Sequence, residues 1–176
     1  MNRPNKNALA LAGEFAVLSE LALRGYDANM TLGHTKGVDI LVSNPKTNKM
    51  FKLEVKTKFR DSDKKHTNST IFGRVLGQWM MNKKHEKNKD SNLSYCFVLF
   101  NRPKNTVQFF IVPSRVVANY VEAEHKLFLK VKRHEGIEVK NTDMRLFRLG
   151  FRGQPYSIRT PFTETYEIQK ALGASN

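Results

Sequence analysis

Two short runs, Val38-Asp39-Ile40-Leu41-Val42 and Leu53-Glu54-Val55-Lys56-Thr57, constrain this chain more than any other feature. Both are rich in β-branched and apolar residues, as strands are. Between them lies Ser43-Asn44-Pro45-Lys46-Thr47-Asn48, a turn composition, so the pair reads as a hairpin. Side chains alternate faces along a strand. Val38, Ile40 and Val42 then share one face, and Phe51, Leu53 and Val55 share one face of the second strand. Asp39 stands opposite to the first set, and Glu54, Lys56 and Lys58 opposite to the second. Two acids and a lysine therefore converge on one place in a twisted sheet. Carboxylates held close together are costly unless something uses them, and a divalent cation is such a use.

The flanking pattern predicts alternating helices and strands. Ala8 to Arg24 reads as a helix with Asn7 as N-cap and Gly25 just past its end. Leu11, Phe15, Leu18, Leu21 and Ala22 form its apolar stripe, with Glu14 inside the stripe and Glu20 on the solvent side. Tyr26 to Thr31 suits an edge strand, leading into a loop with Gly33 and Gly37 directly before Asp39. Arg60 to Ser69 is a charged, mobile loop. Thr70 to Lys89 reads as a helix through Ile71, Phe72, Val75, Leu76, Trp79 and Met80, although Gly73 and Gly77 interrupt it.

Leu93 to Phe100 is a continuous apolar run suited to a buried strand. Thr106 to Val112 is its partner, and Pro113-Ser114 opens a helix over Val116 to His125. Met144 to Phe151 fits a helical turn or a strand, and Thr160-Pro161 starts a last helix. The expected fold is an α/β or α+β sandwich with a mixed central sheet flanked by helices. It makes a single domain, with a core over 8–125 and a basic extension over 126–176.

Charge narrows the partner. The chain of 176 residues carries a formal net charge of +14. Thirteen of its 30 basic residues fall between Lys46 and Lys89, against four acids. Asp90 to His125 is neutral, and Lys126 to Arg159 is basic again. Nucleic acid is the partner such a pattern fits. Lys36, Lys58, Arg60, Lys64, Lys65, Lys83 and Lys84 are the candidate phosphate contacts. No long basic amphipathic helix points to a membrane surface. No run is long and apolar enough to span a bilayer, and the opening Met1 to Leu11 is too short in its apolar part for a signal peptide. The one cysteine, Cys96, lies in an apolar run and makes no internal disulfide, which suits a cytoplasmic protein. His34 reads as a loop residue. The other histidines lack metal-ligand spacing, so zinc is not expected.

Asp39, Glu54 and Lys56, joined by Glu14 from the first helix, make a hard oxygen-ligand site of the kind that takes Mg²⁺ or Mn²⁺. Such an ion polarises a phosphoryl oxygen and lowers the pKa of a bound water. A nearby lysine stabilises charge on the phosphorus oxygens or positions the attacking hydroxide.

The arrangement resembles the PD-(D/E)xK nuclease superfamily. The matching parts are Gly13-Glu14 on the opening helix, Val38-Asp39 on one strand and Glu54-Val55-Lys56 on the next. The order looks most like the archaeal-type Holliday junction resolvases and related small restriction-endonuclease-like proteins, and covers roughly residues 8 to 100. The resemblance implies a restriction endonuclease-like core and Mg²⁺-dependent hydrolysis of DNA. It implies Asp39 and Glu54 as metal ligands helped by the Val55 carbonyl, Lys56 at the nucleophile and transition state, and Glu14 supporting the metal through water. Val38 stands where the name-giving pattern has proline. Many such proteins act as two-fold homodimers, and the neutral block Asp90 to His125 is then the candidate dimer surface. A different function class remains beside the enzyme: a DNA-binding or accessory protein that keeps the fold and does no chemistry. An RNA-binding module is disfavoured by the lack of clustered aromatic motifs.

Overall fold

The computed structural model describes residues 4–31, 37–61, 67–69 and 71–150. Its elements run, in chain order, α1 (Lys6–Leu23), β1 (Asp27–Met30), β2 (Ile40–Asn44), β3 (Lys49–Arg60), β4 (Thr67–Ser69), β5 (Gly73–Asn82), a 3₁₀ turn (Lys83–Lys87), β6 (Leu93–Asn101), β7 (Thr106–Pro113), α2 (Ser114–His134) and β8 (Met144–Gly150). The architecture is α+β. The described residues gather into two units, one within Met1–Ser62 and Asp90–Pro113, the other within Asp63–Lys89 and Ser114–Glu164.

The first unit is a five-stranded mixed sheet of order β1-β2-β3-β6-β7 with α1 against it. The expected hairpin is there: β2 and β3 run antiparallel, with Ile40 opposite Leu53 and Val42 opposite Phe51. The expected edge strand is β1. β3 then pairs in parallel with β6, and β6 returns antiparallel to β7. Val17, Leu21, Ile40, Val42, Leu53, Val55, Cys96, Val98 and Ile111 form one buried cluster between helix and sheet. Each such side chain contributes about 1.5–3 kcal/mol of burial free energy. β6 is buried along nearly its whole length, which explains why its sequence lacks alternation.

Helix α1 differs from expectation in its start and in its buried face. Asn5, not Asn7, is the N-cap, and its Oδ1 accepts a 2.8 Å hydrogen bond from the Ala8 amide. The buried line is Gly13, Val17 and Leu21, whereas Leu11 and Phe15 face outward. The helix is apolar on both sides, so the sequence stripe did not single out the packed one.

The second unit holds the antiparallel sheet β4-β5-β8, with α2 packed on β8. The helix expected over Thr70 to Lys89 is instead the strand β5 followed by the 3₁₀ turn. Val75, Gly77, Trp79 and Met81 are buried, while the residues between them are more open, the alternation of a strand. Two glycines cost a helix about 1 kcal/mol each relative to alanine. In the strand Gly77 has a use, because a Cβ there would stand 2.6 Å from the Trp79 ring. Helix α2 reaches His134, nine residues past its expected end. Its inner side is pinned by the buried Glu124–Arg148 ion pair and by Tyr120, edge-on to Phe147 at 5.0 Å. Arg148 also lies over the Phe72 ring at 4.3 Å. Met144–Gly150 resolves as strand β8. The loop expected over Arg60 to Ser69 is shorter than that: Arg60 closes β3 and Thr67–Ser69 pair with β5 as β4, while residues 62–66, like the helix expected from Thr160-Pro161, lie outside the described residues.

Candidate active site

Asp39 sits one residue before β2, yet its backbone already belongs to the sheet. Its amide donates to the Leu53 carbonyl at 2.8 Å, and its carbonyl accepts from the Thr31 amide at 3.0 Å. Ile40 pairs with Leu53, and the Asp39 amide bonds to the carbonyl of that same Leu53, one residue off the register, which leaves Asp39 beside Glu54 and Val55 at the end of the pairing. The Asp39 side chain then turns back to the strand, and its Oδ2 accepts the Val55 amide at 2.6 Å.

Glu54 is 4% exposed. One of its oxygens meets Lys56 Nζ at 2.5 Å. The other faces the backbone of Gly37, where a Cβ would lie 3.4 Å away. Alternation puts Glu54, Lys56 and Lys58 on the face opposite to Leu53 and Val55, as the sequence predicts.

The electrostatics join these groups. Burial pushes the Asp39 carboxyl above its ordinary range; the Val55 amide and the Lys56 charge oppose this, and the Glu54 charge adds to it. Glu14 is raised too, by burial first and by the Asp39 charge second, with Lys56 opposing. Glu14 is thus within electrostatic reach of Asp39 and Lys56. The tightest group is Asp39, Glu54 and Lys56, with Glu14 at its margin.

The glycine before Glu14 is what brings α1 so near β3. A Cβ on Gly13 would stand 1.8 Å from Thr57 Oγ1. Thr57 went unremarked in the sequence; a threonine two residues past Glu54-x-Lys56 carries no signal until the helix is placed on it. Val55 supplies its amide to Asp39, which no side-chain pattern announces.

Arg60 is half-buried, and burial lowers its guanidinium pKa. Lys58 points to the Glu54 face. Lys83 and Lys84 are exposed and belong to the second unit. Lys36, Lys64 and Lys65 lie outside the described residues, as do His34 and His66.

Among the described residues no group of three or more Asp, Glu, His or Cys side chains is arranged to hold a metal. The neighbouring carboxylates of Asp39 and Glu54 remain, and two hard oxygen donors with water are a donor set that Mg²⁺ accepts. The residues present therefore fit that ion.

No family model and no curated protein matches the chain. Among solved structures, a bacterial homing endonuclease, I-Ssp6803I, is similar at a TM-score of 0.42 and 12% identity, over 66% of this chain and 74% of that one. No helix of the described residues is long and apolar enough to cross a membrane.

Proposed function

We propose that this protein is a Mg²⁺- or Mn²⁺-dependent endonuclease that hydrolyses DNA phosphodiester bonds with a PD-(D/E)xK-like site. The observation that carries the reading is Asp39 held on the Val55 amide, next to Glu54, with Lys56 on the Glu54 carboxylate. The net charge of +14 supports a polyanionic substrate.

Asp39 and Glu54 would hold the ion, which supplies Lewis acidity toward a phosphoryl oxygen and toward water. Lys56 neutralises the charge that builds on the phosphorus oxygens. It is stored on Glu54 until the substrate phosphate competes for it. The amide of Val55 fixes the Asp39 carboxylate, so that this group does not reorganise during the reaction. Glu14 orients water at the margin of the site. Cutting both strands of a duplex takes two such sites, which a two-fold homodimer supplies.

The test is a panel of plasmid, four-way junction, flap and single-stranded DNA, each with Mg²⁺, Mn²⁺ or EDTA. Cleavage of at least one substrate is expected with metal and not with EDTA, and not by Asp39→Ala. Cleavage that persists in Asp39→Ala refutes the assignment of the site. Salt-sensitive binding without cleavage of any substrate would leave a DNA-binding protein that keeps the fold.

A further inference from the structure

Helix α2 turns a row of cations to the solvent. At 100° per residue, Arg115, Lys126, Lys130 and Arg133 fall within about 60° of one another. All four are exposed. At 1.5 Å per residue the stripe is about 27 Å long, the rise of about eight base pairs of duplex. The uncharged residues within it are Asn119 and Ala123, both exposed and both short.

Glu122 is the one acid beside the stripe, and Lys126 already engages it at 2.6 Å. That bond and the Lys126 charge hold the Glu122 carboxyl below its usual range, and Lys89 contributes further. Lys89, two residues past the 3₁₀ turn, therefore adds a fifth cation beside the middle of α2. Lys130 and Arg133 have no acidic partner among the described residues.

A basic amphipathic helix also suits an anionic membrane. Here the apolar side is already used: Val117, Tyr120 and Val121 are buried within the second unit, where α2 packs on β8. The apolar residues beside the cations are the short Ala123 and the half-buried Leu129, too little to anchor a helix in a bilayer. What remains is a straight row of cations, and a row of phosphates is its complement.

We propose that the outer face of α2 is a phosphate-backbone contact surface for nucleic acid, separate from the carboxylate site. Arg115, Lys126, Lys130 and Arg133 are its contacts. This rests on the reading of nucleic acid as partner, but not on any chemistry at Asp39. The stripe carries no hydrogen-bond pattern aimed at bases, so it positions the duplex and does not read sequence.

The experiment is binding of a labelled short duplex to the full-length protein in EDTA, followed by fluorescence anisotropy across a salt series. The test variant is Arg115→Glu/Lys130→Glu/Arg133→Glu. The control is Lys46→Glu/Lys49→Glu/Lys104→Glu, which changes net charge equally at exposed sites in two turns of the first unit and at the start of β3. Fluorescence of the one tryptophan, Trp79, checks that the second unit stays folded in both. The expected result is a loss of at least about tenfold in affinity and a salt slope shallower by about three units in the test variant, against a smaller change in the control. Equal losses in the two variants would make the effect one of net charge alone and overturn the proposal. So would unchanged DNA binding, or binding to phosphatidylserine vesicles that the test variant loses while DNA binding stays. Because EDTA removes cleavage from the assay, a failed nuclease reading and a failed α2 surface give different results.

Discussion

Replacing Gly13 with alanine is expected to unseat α1. In a free helix the change is favourable by about 1 kcal/mol. Here the new Cβ would meet Thr57 Oγ1 at 1.8 Å, with Thr57 Cβ and Cγ2 both at 2.9 Å. Turning the threonine to another rotamer does not clear the contact, because its Cβ stays in place. Helix and strand must separate instead. Overpacking of this kind costs about 1–3 kcal/mol, and a contact this short belongs at the upper end. Net of propensity, Gly13→Ala should lose about 2 kcal/mol, or about 4–8 °C in Tm for a chain of this size. Urea unfolding followed by circular dichroism measures it. Thr57→Ala removes the two outer atoms, Cγ2 and Oγ1, the latter a buried hydroxyl that has no hydrogen-bond partner. The double variant should therefore recover about half of the loss or more. A Gly13→Ala protein that is more stable than wild type, or a double variant showing no coupling, would refute the close seating of α1 on β3. The same separation carries Glu14 away from Asp39, so cleavage should fall in the single variant and partly return in the double.

Asp39→Asn and Glu14→Gln should each stabilise the fold at neutral pH while removing cleavage. Both carboxyls are raised in the folded state, so ionising them disfavours folding above their ordinary range; the advantage of the variants should vanish in acid, below the ordinary carboxylate range, and a wild type equally stable to its variants at neutral pH would contradict this. For the same reason cleavage should rise as pH increases through the carboxylate range, in a pH–rate profile taken at fixed metal. Lys56→Ala should abolish cleavage and spare binding, whereas Lys58→Ala, one alternation step or about 7 Å further along β3, should reduce the salt slope of binding by about one unit; equal loss of cleavage at saturating DNA would show that the wrong lysine is assigned. Cys96 is fully buried with its thiol pushed up to about 12, so it should react with a thiol reagent only after denaturant is added.

The hairpin was legible because its alternation has only one periodic reading: Ile40, Val42, Leu53 and Val55 cannot share a face at helical spacing. Asp39 and Glu54 followed from that register. β5 was not legible. Ile71, Phe72, Val75, Leu76, Trp79 and Met80 satisfy a helical stripe, while Val75, Gly77, Trp79 and Met81 satisfy a strand once glycine counts as a buried position. Only pairing with β8, some seventy residues on, decides between the two. Leu11 and Phe15 misled in the opposite way: they are apolar and exposed, and the side that packs is defined by Gly13, a residue without a side chain. The basic stripe of α2 stayed hidden because its helix was ended at His125, before the Lys126-Lys130-Arg133 spacing could register.

The parallel pairing of β3 with β6 has a consequence for how the chain is made. Residues 61–92 lie between the two strands and belong largely to the other unit. At about 5–20 residues per second, β3 leaves the ribosome on the order of seconds before its neighbour exists. During that interval a twelve-residue strand shows an open edge, flanked by Lys52, Lys56, Lys58 and Arg60. Charges along an open edge keep nascent chains from pairing with one another. The basic residues of this strand thus serve during synthesis whatever they contact afterwards, and neutralising them should lower the yield of soluble chain before any binding is measured.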